Sequence, residues 1–415
     1  MSKYSLKPAG DGHSAHAQKA FLLLASATVA FGFSMAAQQN IVSNFFENEL
    51  GLKGPQFGYI TAIREIPGFL LIFLTAMLYR LSLPHLTAIA MVLLAIGFGF
   101  FGFATSFWTV APWVVISSMG YHTWLQTQTA LGMSLTEEKK SGSVLGQLTA
   151  VYQAGALAAM TFVFVVFHFE WIDFKGMFII CGLLALVAAA LVVRFPNMHN
   201  GQRLEVKPER ERMVLKRDYD LYYKLSLLDG ARQQIFFSFG LWVLVDHFKL
   251  SVPAISLVML ATSALAMTSG PWIGRMLDKH GERQMLSVVN IAYIVALLGY
   301  GLIDNTVVAV GCYVIYSLIM PLSAMGASVY LRKIAPTRDV APSLAMGVTM
   351  QHAAAIVIPV VTGFVLNFVG YQIPFLVASG FACITVFVTR KLDVGAQKTA
   401  EKHAEEGTAR VAAQA

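Results

Sequence analysis

Charge is what this sequence is shortest of. Asp, Glu, Lys and Arg make up 13% of its 415 residues, against 56% hydrophobic, whereas soluble domains run near a quarter charged. So small a polar inventory cannot clothe a water-facing surface. Cysteine is scarce as well. Cys181, Cys312 and Cys383 are odd in number and each sits alone inside an apolar run, which argues against a disulfide framework or a zinc site and leaves them as core packing. Walker-type Gly-x-x-x-x-Gly-Lys, His-Glu-x-x-His and Gly-x-Ser-x-Gly patterns are absent too, so no enzyme, no ATP-driven step and no cofactor are expected.

What the chain does have is long apolar runs. A spanning helix needs about 20 largely apolar residues, because a helix satisfies its own backbone polar groups inside hydrocarbon. Such runs fall at 20–42, 57–80, 86–104, 108–133, 143–167, 176–194, 221–246, 254–276, 285–302, 306–330, 342–369 and 371–390. An all-α membrane protein of about twelve spans is expected. Its thinnest breaks are Thr105–Ser106 and Gly370–Tyr371.

With both termini on the cytoplasmic face, 25 of the 30 Lys and Arg lie on that side and only Lys53, Lys175 and Lys249 opposite, with Arg64 and Arg232 inside spans. The bias is the one the positive-inside rule demands of an even span count, so topology explains the net charge of +7 without nucleic acid. The first run also has the make-up of a signal peptide, but its cleavage would leave an odd count and break the alternation. An inner, cell-membrane, multi-pass location with lipid as surroundings is the expectation.

The longest polar segment, 196–220, divides the spans six and six. The expected organisation is an N-terminal segment 1–19, a bundle 20–195, a cytoplasmic linker 196–220 with a surface helix near Pro208–Lys216, a second bundle 221–390, and a frayed or disordered tail 391–415. The halves echo one another. Ser143-Val144-Leu145 through Thr149 to Ala154 aligns with Ser343-Leu344-Ala345 through Thr349 to Ala354, and Gln38-Gln39 with Gln233-Gln234. Between spans 8 and 9 stands Gly274-Arg275-Met276-Leu277-Asp278-Lys279-His280-Gly281-Glu282-Arg283.

Six plus six spans, a basic central loop and that ten-residue segment resemble the major facilitator superfamily. The resemblance implies two pseudo-symmetric six-helix bundles, alternating access, and a gating motif at Gly274, Asp278, Gly281 and Arg283. The equivalent first-half loop, Tyr79-Arg80-Leu81-Ser82-Leu83-Pro84, lacks the Asp and the glycines, so that half's gate is built differently. The antiporter Gly-Pro motif is missing from span 5. The resemblance also implies that spans 1, 4, 7 and 10 line a cavity and that 3, 6, 9 and 12 face lipid. Span 6 holds nothing more polar than Cys181, and spans 3 and 12 have no charge or amide; Asn290 in span 9 is the exception.

A charge at the bilayer centre costs about 2.5–3.5 kcal/mol on insertion scales, so a retained one is a functional candidate. Span 2 carries Arg64 and Glu65. Adjacent residues point about 100° apart, which assigns Glu65 to the small-residue stripe of Gly58, Thr61 and Gly68 and Arg64 to the cavity. Span 7 carries Asp229 and Arg232 at i,i+3, followed by Gln233. Span 4 carries His122, whose unperturbed pKa suits proton coupling, with Gln126 on its face and Trp124 and Gln128 on another. Thr149, Tyr152 and Gln153 in span 5, Tyr313, Tyr316 and Ser317 in span 10, and Gln351 and His352 in span 11 lie at similar depth. The expected solute ligands are Arg64, His122, Gln126, Gln153, Arg232, Gln233, Tyr316, Gln351 and His352, with Glu65 and Asp229 exchanging protons. Each charged pair also has a purely structural reading as a helix brace.

Arginine suits planar carboxylates, so a small organic anion is the expected solute if the arginines are not engaged by their acidic neighbours. A neutral or zwitterionic solute, moved by facilitation or efflux, is expected if they are. Met346, Met350 and His352 leave copper transport as a further alternative. A non-transporting receptor, for want of a soluble domain, is the weakest. The chain is read as a monomer.

Overall fold

The computed structural model describes residues 11–70, 81–135, 141–196 and 216–392. Expectations for the first ten residues, the inner end of span 2 through Arg80, Lys139 and Lys140, most of the linker with its surface helix, and the tail lie outside the described residues.

The described residues form helices and no strand: α1 (Asp11–Asn44), α2 (Gly54–Phe69), α3 (Leu83–Phe101), α4 (Phe107–Ser134), α5 (Ser141–His168), α6 (Phe174–Val192), α7 (Asp220–Asp246), α8 (Val252–Leu302), α9 (Thr306–Ile334), α10 (Thr337–Val369) and α11 (Gln372–Thr389). A π turn, Phe45–Glu49, extends α1. Both thin breaks are real. Ser106 caps α4 by accepting a hydrogen bond from the Thr109 amide. Gly370, at φ +74° and ψ 173°, ends α10 in an extended positive-φ conformation that glycine adopts readily and other residues do not.

One expected loop is absent. The backbone stays helical through Val252–Leu302, so the ten-residue segment between spans 8 and 9 lies inside α8. It contains no proline, and Arg, Met, Leu, Lys and Glu are good helix formers that carry its two glycines along.

Among the described residues seven segments are long and apolar enough, by length and composition alone, to cross a membrane: Gln18–Glu49, Leu83–Phe101, Ser143–His168, Phe174–Val192, Arg283–Leu302, Met346–Val369 and Gln372–Thr389. Helices α2, α4 and α7 are not among them. These three carry Arg64, His122 and Arg232, so their polarity has to be sheltered by neighbouring helices. Other helices show the complementary pattern. Exposed side chains form stripes at helical spacing: Ile89, Val92, Ile96 and Phe100 on α3; Ile179, Leu183 and Leu186 on α6; Val288, Ile291, Val295 and Leu298 on α8; Ile373, Val377, Ile384 and Phe387 on α11. Those are spans 3, 6, 9 and 12, and span 11 carries a similar stripe at Val357, Val361, Phe364 and Phe368 on α10, so exposed apolar surface is not confined to the four spans expected to face lipid. Asn290 turns inward, buried, and donates to the Leu286 carbonyl.

The chain folds into two compact units, Met1–Lys207 with Lys249–Leu260, and Pro208–Phe248 with Ala261–Ala415. In the first, α1 packs on α5 and α6, α3 on α4 and α6, and α2 on α4. In the second, α7 packs on α9, α10 and α11. The α1–α5 and α7–α10 pairs occupy equivalent places, which agrees with the Ser143 and Ser343 echo. Gly32 and Gly155 let α1 and α5 meet at backbone distance: a Cβ on Gly155 would strike the Val29 carbonyl oxygen, and one on Gly32 the Tyr152 carbonyl oxygen. The stretch Lys249–Leu260 joins the first unit through two side chains of α1. Asn44 donates to the Leu250 carbonyl at 2.9 Å, and Asn40 Oδ1 accepts from Ser256 at 2.9 Å.

Candidate functional site

In the first unit the polar residues of α2 and α4 form one connected group. Pro67 in α2 lacks an amide to continue the helix ladder, and close by the Arg64 carbonyl accepts the hydroxyl of Ser118 on α4. The Arg64 guanidinium folds back onto its neighbour, with Nε and Nη2 each 3.2 Å from Glu65 Oε1. Arg64 remains the more accessible partner, its side chain 37% exposed against 13% for Glu65. Glu65 lies where the small-residue stripe placed it, at a helix contact. Gly68, one turn on, sits so close to the His122 ring that a Cβ there would be 2.6 Å from Nε2.

His122 is buried, and its tautomer follows from its partners. Nδ1 is 3.0 Å from both Ser118 Oγ and the Ser118 carbonyl. The single Ser118 hydroxyl proton is directed at the Arg64 carbonyl, so its oxygen serves His122 only as an acceptor, and the carbonyl accepts by nature. Nδ1 therefore carries the hydrogen. In a neutral ring Nε2 then presents a lone pair toward Glu65 Oε2, 3.9 Å away. Two acceptors facing each other form a place for one more proton.

Beside this group lies a cavity of about 170 Å³ bounded by α1, α4 and α5. Its inner wall is Phe31, Trp124, Thr28 and Leu148, all buried. The half-buried Tyr121, Tyr152 and Gln128 border it. Phe31 is the hub of the rings, with centroids 4.8 Å from Trp124, 5.9 Å from Tyr152 and 6.4 Å from Tyr121. Tyr121 joins cavity to ion group: its ring is 5.1 Å from that of His122, and it lies within electrostatic reach of Arg64 and Glu65.

The second unit holds a different kind of arrangement. Arg232 has no solvent exposure at all. Its guanidinium pairs with Asp229 one turn back on α7, donates to Tyr316 Oη at 2.8 Å and to Ser323 Oγ at 3.4 Å, and lies 3.5 Å over the Tyr293 ring. Its Nε has no hydrogen-bond partner among the described residues. Tyr293 in turn donates to the Ile319 carbonyl at 2.9 Å, and Phe236 stacks on Tyr316 at 3.6 Å. The carboxylate, the two hydroxyls and the ring face offset most of the desolvation of this buried arginine, with Nε the exception.

Of the residues expected to bind solute, Arg64 and His122 are brought together with Glu65. Arg232, Asp229 and Tyr316 form a separate interior cluster. Gln233, half-buried, donates to Met320 Sδ at 3.4 Å. Gly230 brings α7 against Gln351 on α10, with a Cβ at Gly230 reaching within 3.2 Å of its Cα. His352 is half-buried on the same helix, and Gln126 and Gln153 are exposed and do not line the cavity. Of the residues named for the copper alternative, Met346 and Met350 pack against the apolar cluster of Tyr219, Tyr222, Tyr223 and Tyr330. Within the motif of α8, Arg283 is exposed.

Ser118, Tyr293, Ser323 and Phe31 complete these clusters and were not singled out by sequence. Ser118 carried a usable signal, one helical turn before His122 on α4. Tyr293 carried none, because it sits in a span otherwise facing lipid.

Both units are helical, with exposed apolar stripes and ionisable groups gathered among the helices, the arrangement of a multi-pass membrane protein. Residues 225–413 match the family profile described as Major Facilitator Superfamily. No curated protein sequence gives a significant match. Among solved structures, the nucleoside transporter NupG superposes with a TM-score of 0.72 at 16% identity, over 90% of this chain and 98% of that one. A bacterial homologue of the human lysosomal transporter Spinster, inward-facing and occupied, gives 0.71 at 13% identity, over 93% and 98%. The profile covers the second half and the fold likeness extends across the first. Residues 225–413 are thus similar to the Major Facilitator Superfamily, and nine-tenths of the chain shares the fold of these two transporters.

Proposed function

We propose that the chain is a proton-coupled secondary transporter of a small organic anion, working by alternating access as a monomer in the cell membrane with both termini cytoplasmic. The observation that carries this is the lone pair of His122 Nε2 facing Glu65 Oε2. Arg64 positive, Glu65 negative and His122 neutral sum to zero. One added proton leaves a net positive charge in a poorly solvated place, and a monoanion cancels it. Once the proton loosens Glu65 from Arg64, a solute carboxylate can take the place of Glu65 on the half-buried guanidinium. Proton and anion then travel together, each lowering the cost of the other. Arg232 and Asp229 serve in this reading as an interior brace, because each already meets the other's charge.

A second reading is favoured by the fact that both arginines are ion-paired: a neutral or zwitterionic solute that never needs a free guanidinium. NupG, whose described solutes are uncharged nucleosides, lies on that side. Thermal-shift screening against organic acids, amino acids, sugars and nucleosides, followed by uptake into proteoliposomes under an imposed pH gradient, separates the two. Gradient-driven accumulation of an acid supports coupling. Uptake of an uncharged solute that ignores the gradient overturns it.

A further inference from the structure

We infer that the cavity between α1, α4 and α5 is a binding site for a planar aromatic ring, so that the solute is a ring-bearing carboxylate with its ring among Phe31, Trp124, Tyr121 and Tyr152. The inference rests on the proposed anion transport for the charged end of the solute, and adds the class of its body.

Size comes first. The cavity measures about 170 Å³, and a dry apolar cavity of about 150 Å³ is enough to hold benzene. A six-membered ring with one substituent fits, whereas a disaccharide or a long acyl chain does not.

Chemistry comes second. Aromatic faces favour offset-stacked or edge-on rings with centroids about 4.5–7 Å apart. Trp124, Tyr121 and Tyr152 each lie at that spacing from Phe31, and all four rings border the cavity, so an inserted ring meets aromatic carbon on several sides. The polar lining is sparse and suits the edge of a heteroaromatic ring. Gln128 supplies an amide, while the Thr28 and Thr149 hydroxyls donate to the Leu24 and Leu145 carbonyls, so their protons are turned to the backbone and not to the cavity.

Position comes third. Tyr121 borders both the cavity and the Arg64–Glu65–His122 group, so a ring lodged in the one directs a short carboxylate toward the other. The backbone contact at Gly32 and Gly155 fixes the spacing of α1 and α5, and with it the width of the slot.

The test is binding by the full-length protein in detergent, read as thermal shift and as isothermal titration, with benzoate and nicotinate against cyclohexanecarboxylate and lactate. Benzoate and cyclohexanecarboxylate share charge and carbon count and differ in planarity. Ring acids are expected to bind at least about tenfold more tightly than either comparison acid. Thr149→Trp, which fills the cavity from an exposed position, and Tyr152→Ala should each erase that preference. Equal binding of cyclohexanecarboxylate, or a preference untouched by Thr149→Trp in a protein that still unfolds cooperatively, overturns the inference. Nicotinamide beside nicotinate keeps the two proposals apart. Equal binding of that pair counts against anion transport, and the planarity comparison alone decides the ring site.

Discussion

Ser118 hands its one hydroxyl proton to the Arg64 carbonyl and, through the same oxygen, serves His122 Nδ1 as an acceptor. A serine thus links the backbone of α2 to the tautomer of a histidine on α4, and through it to the face that histidine shows Glu65. Removing the hydroxyl takes away one determinant of that tautomer and leaves the Ser118 carbonyl as the other. Ser118→Ala is expected to leave the protein folded and to weaken gradient-driven uptake by roughly two- to tenfold, the worth of one hydrogen bond of about 0.5–1.5 kcal/mol. Initial rates in proteoliposomes measure it.

Arg232 is sealed, so its removal leaves Asp229 as an uncompensated buried charge. Arg232→Ala should cost about 3–5 kcal/mol, seen as a large fall in the thermal midpoint in detergent. The double variant Asp229→Ala with Arg232→Ala should recover part of that loss, because no lone charge remains. A double variant no better than Arg232→Ala would show that Tyr316 and Tyr293, not Asp229, are what Arg232 chiefly holds.

The α1–α5 contact allows a paired comparison on one helix. Gly155→Ala drives a methyl into the Val29 carbonyl and should destabilise by about 1–3 kcal/mol, the usual cost of overpacking. Gly146→Ala meets nothing within 4 Å and should be neutral or stabilising by up to about 1 kcal/mol. Thermal unfolding of both variants side by side tests whether contact, and not glycine as such, sets the difference.

Asn44 ties the Lys249–Leu260 stretch to the first unit. Asn44→Ala should raise amide exchange in 249–260 by roughly fivefold, as expected for loss of about 1 kcal/mol, while α3 and α6 stay protected. Hydrogen exchange read by mass spectrometry resolves the two regions.

Much of the fold was legible in the sequence because hydrocarbon is a simple solvent: long apolar runs, two helix stops and the outward stripes of α3, α6 and α11 follow from composition and period. The joining segment inside α8 was not. Its charges and glycines read as a loop, and its helix propensity was the competing signal that won. At the candidate site, Glu65 on the small-residue stripe and His122 at depth were readable from spacing alone. The pairing of Arg64 with Glu65 was not, because a 100° step between Cα–Cβ bonds says nothing of how far a long guanidinium arm folds back. Nor was the burial of Arg232 readable, because it depends on Tyr293 and Tyr316, which lie 61 and 84 positions further along the chain and meet it only in the folded bundle.

The central claim is that Glu65 carries the coupling proton beside His122. It is tested most directly by comparing wild type and Glu65→Gln in proteoliposomes, for accumulation driven by an imposed pH gradient and for exchange of labelled against unlabelled solute with no gradient. The account predicts that Glu65→Gln loses accumulation and keeps exchange, since the amide holds no exchangeable acid proton while the solute path remains. Accumulation by Glu65→Gln at the wild-type level would contradict it.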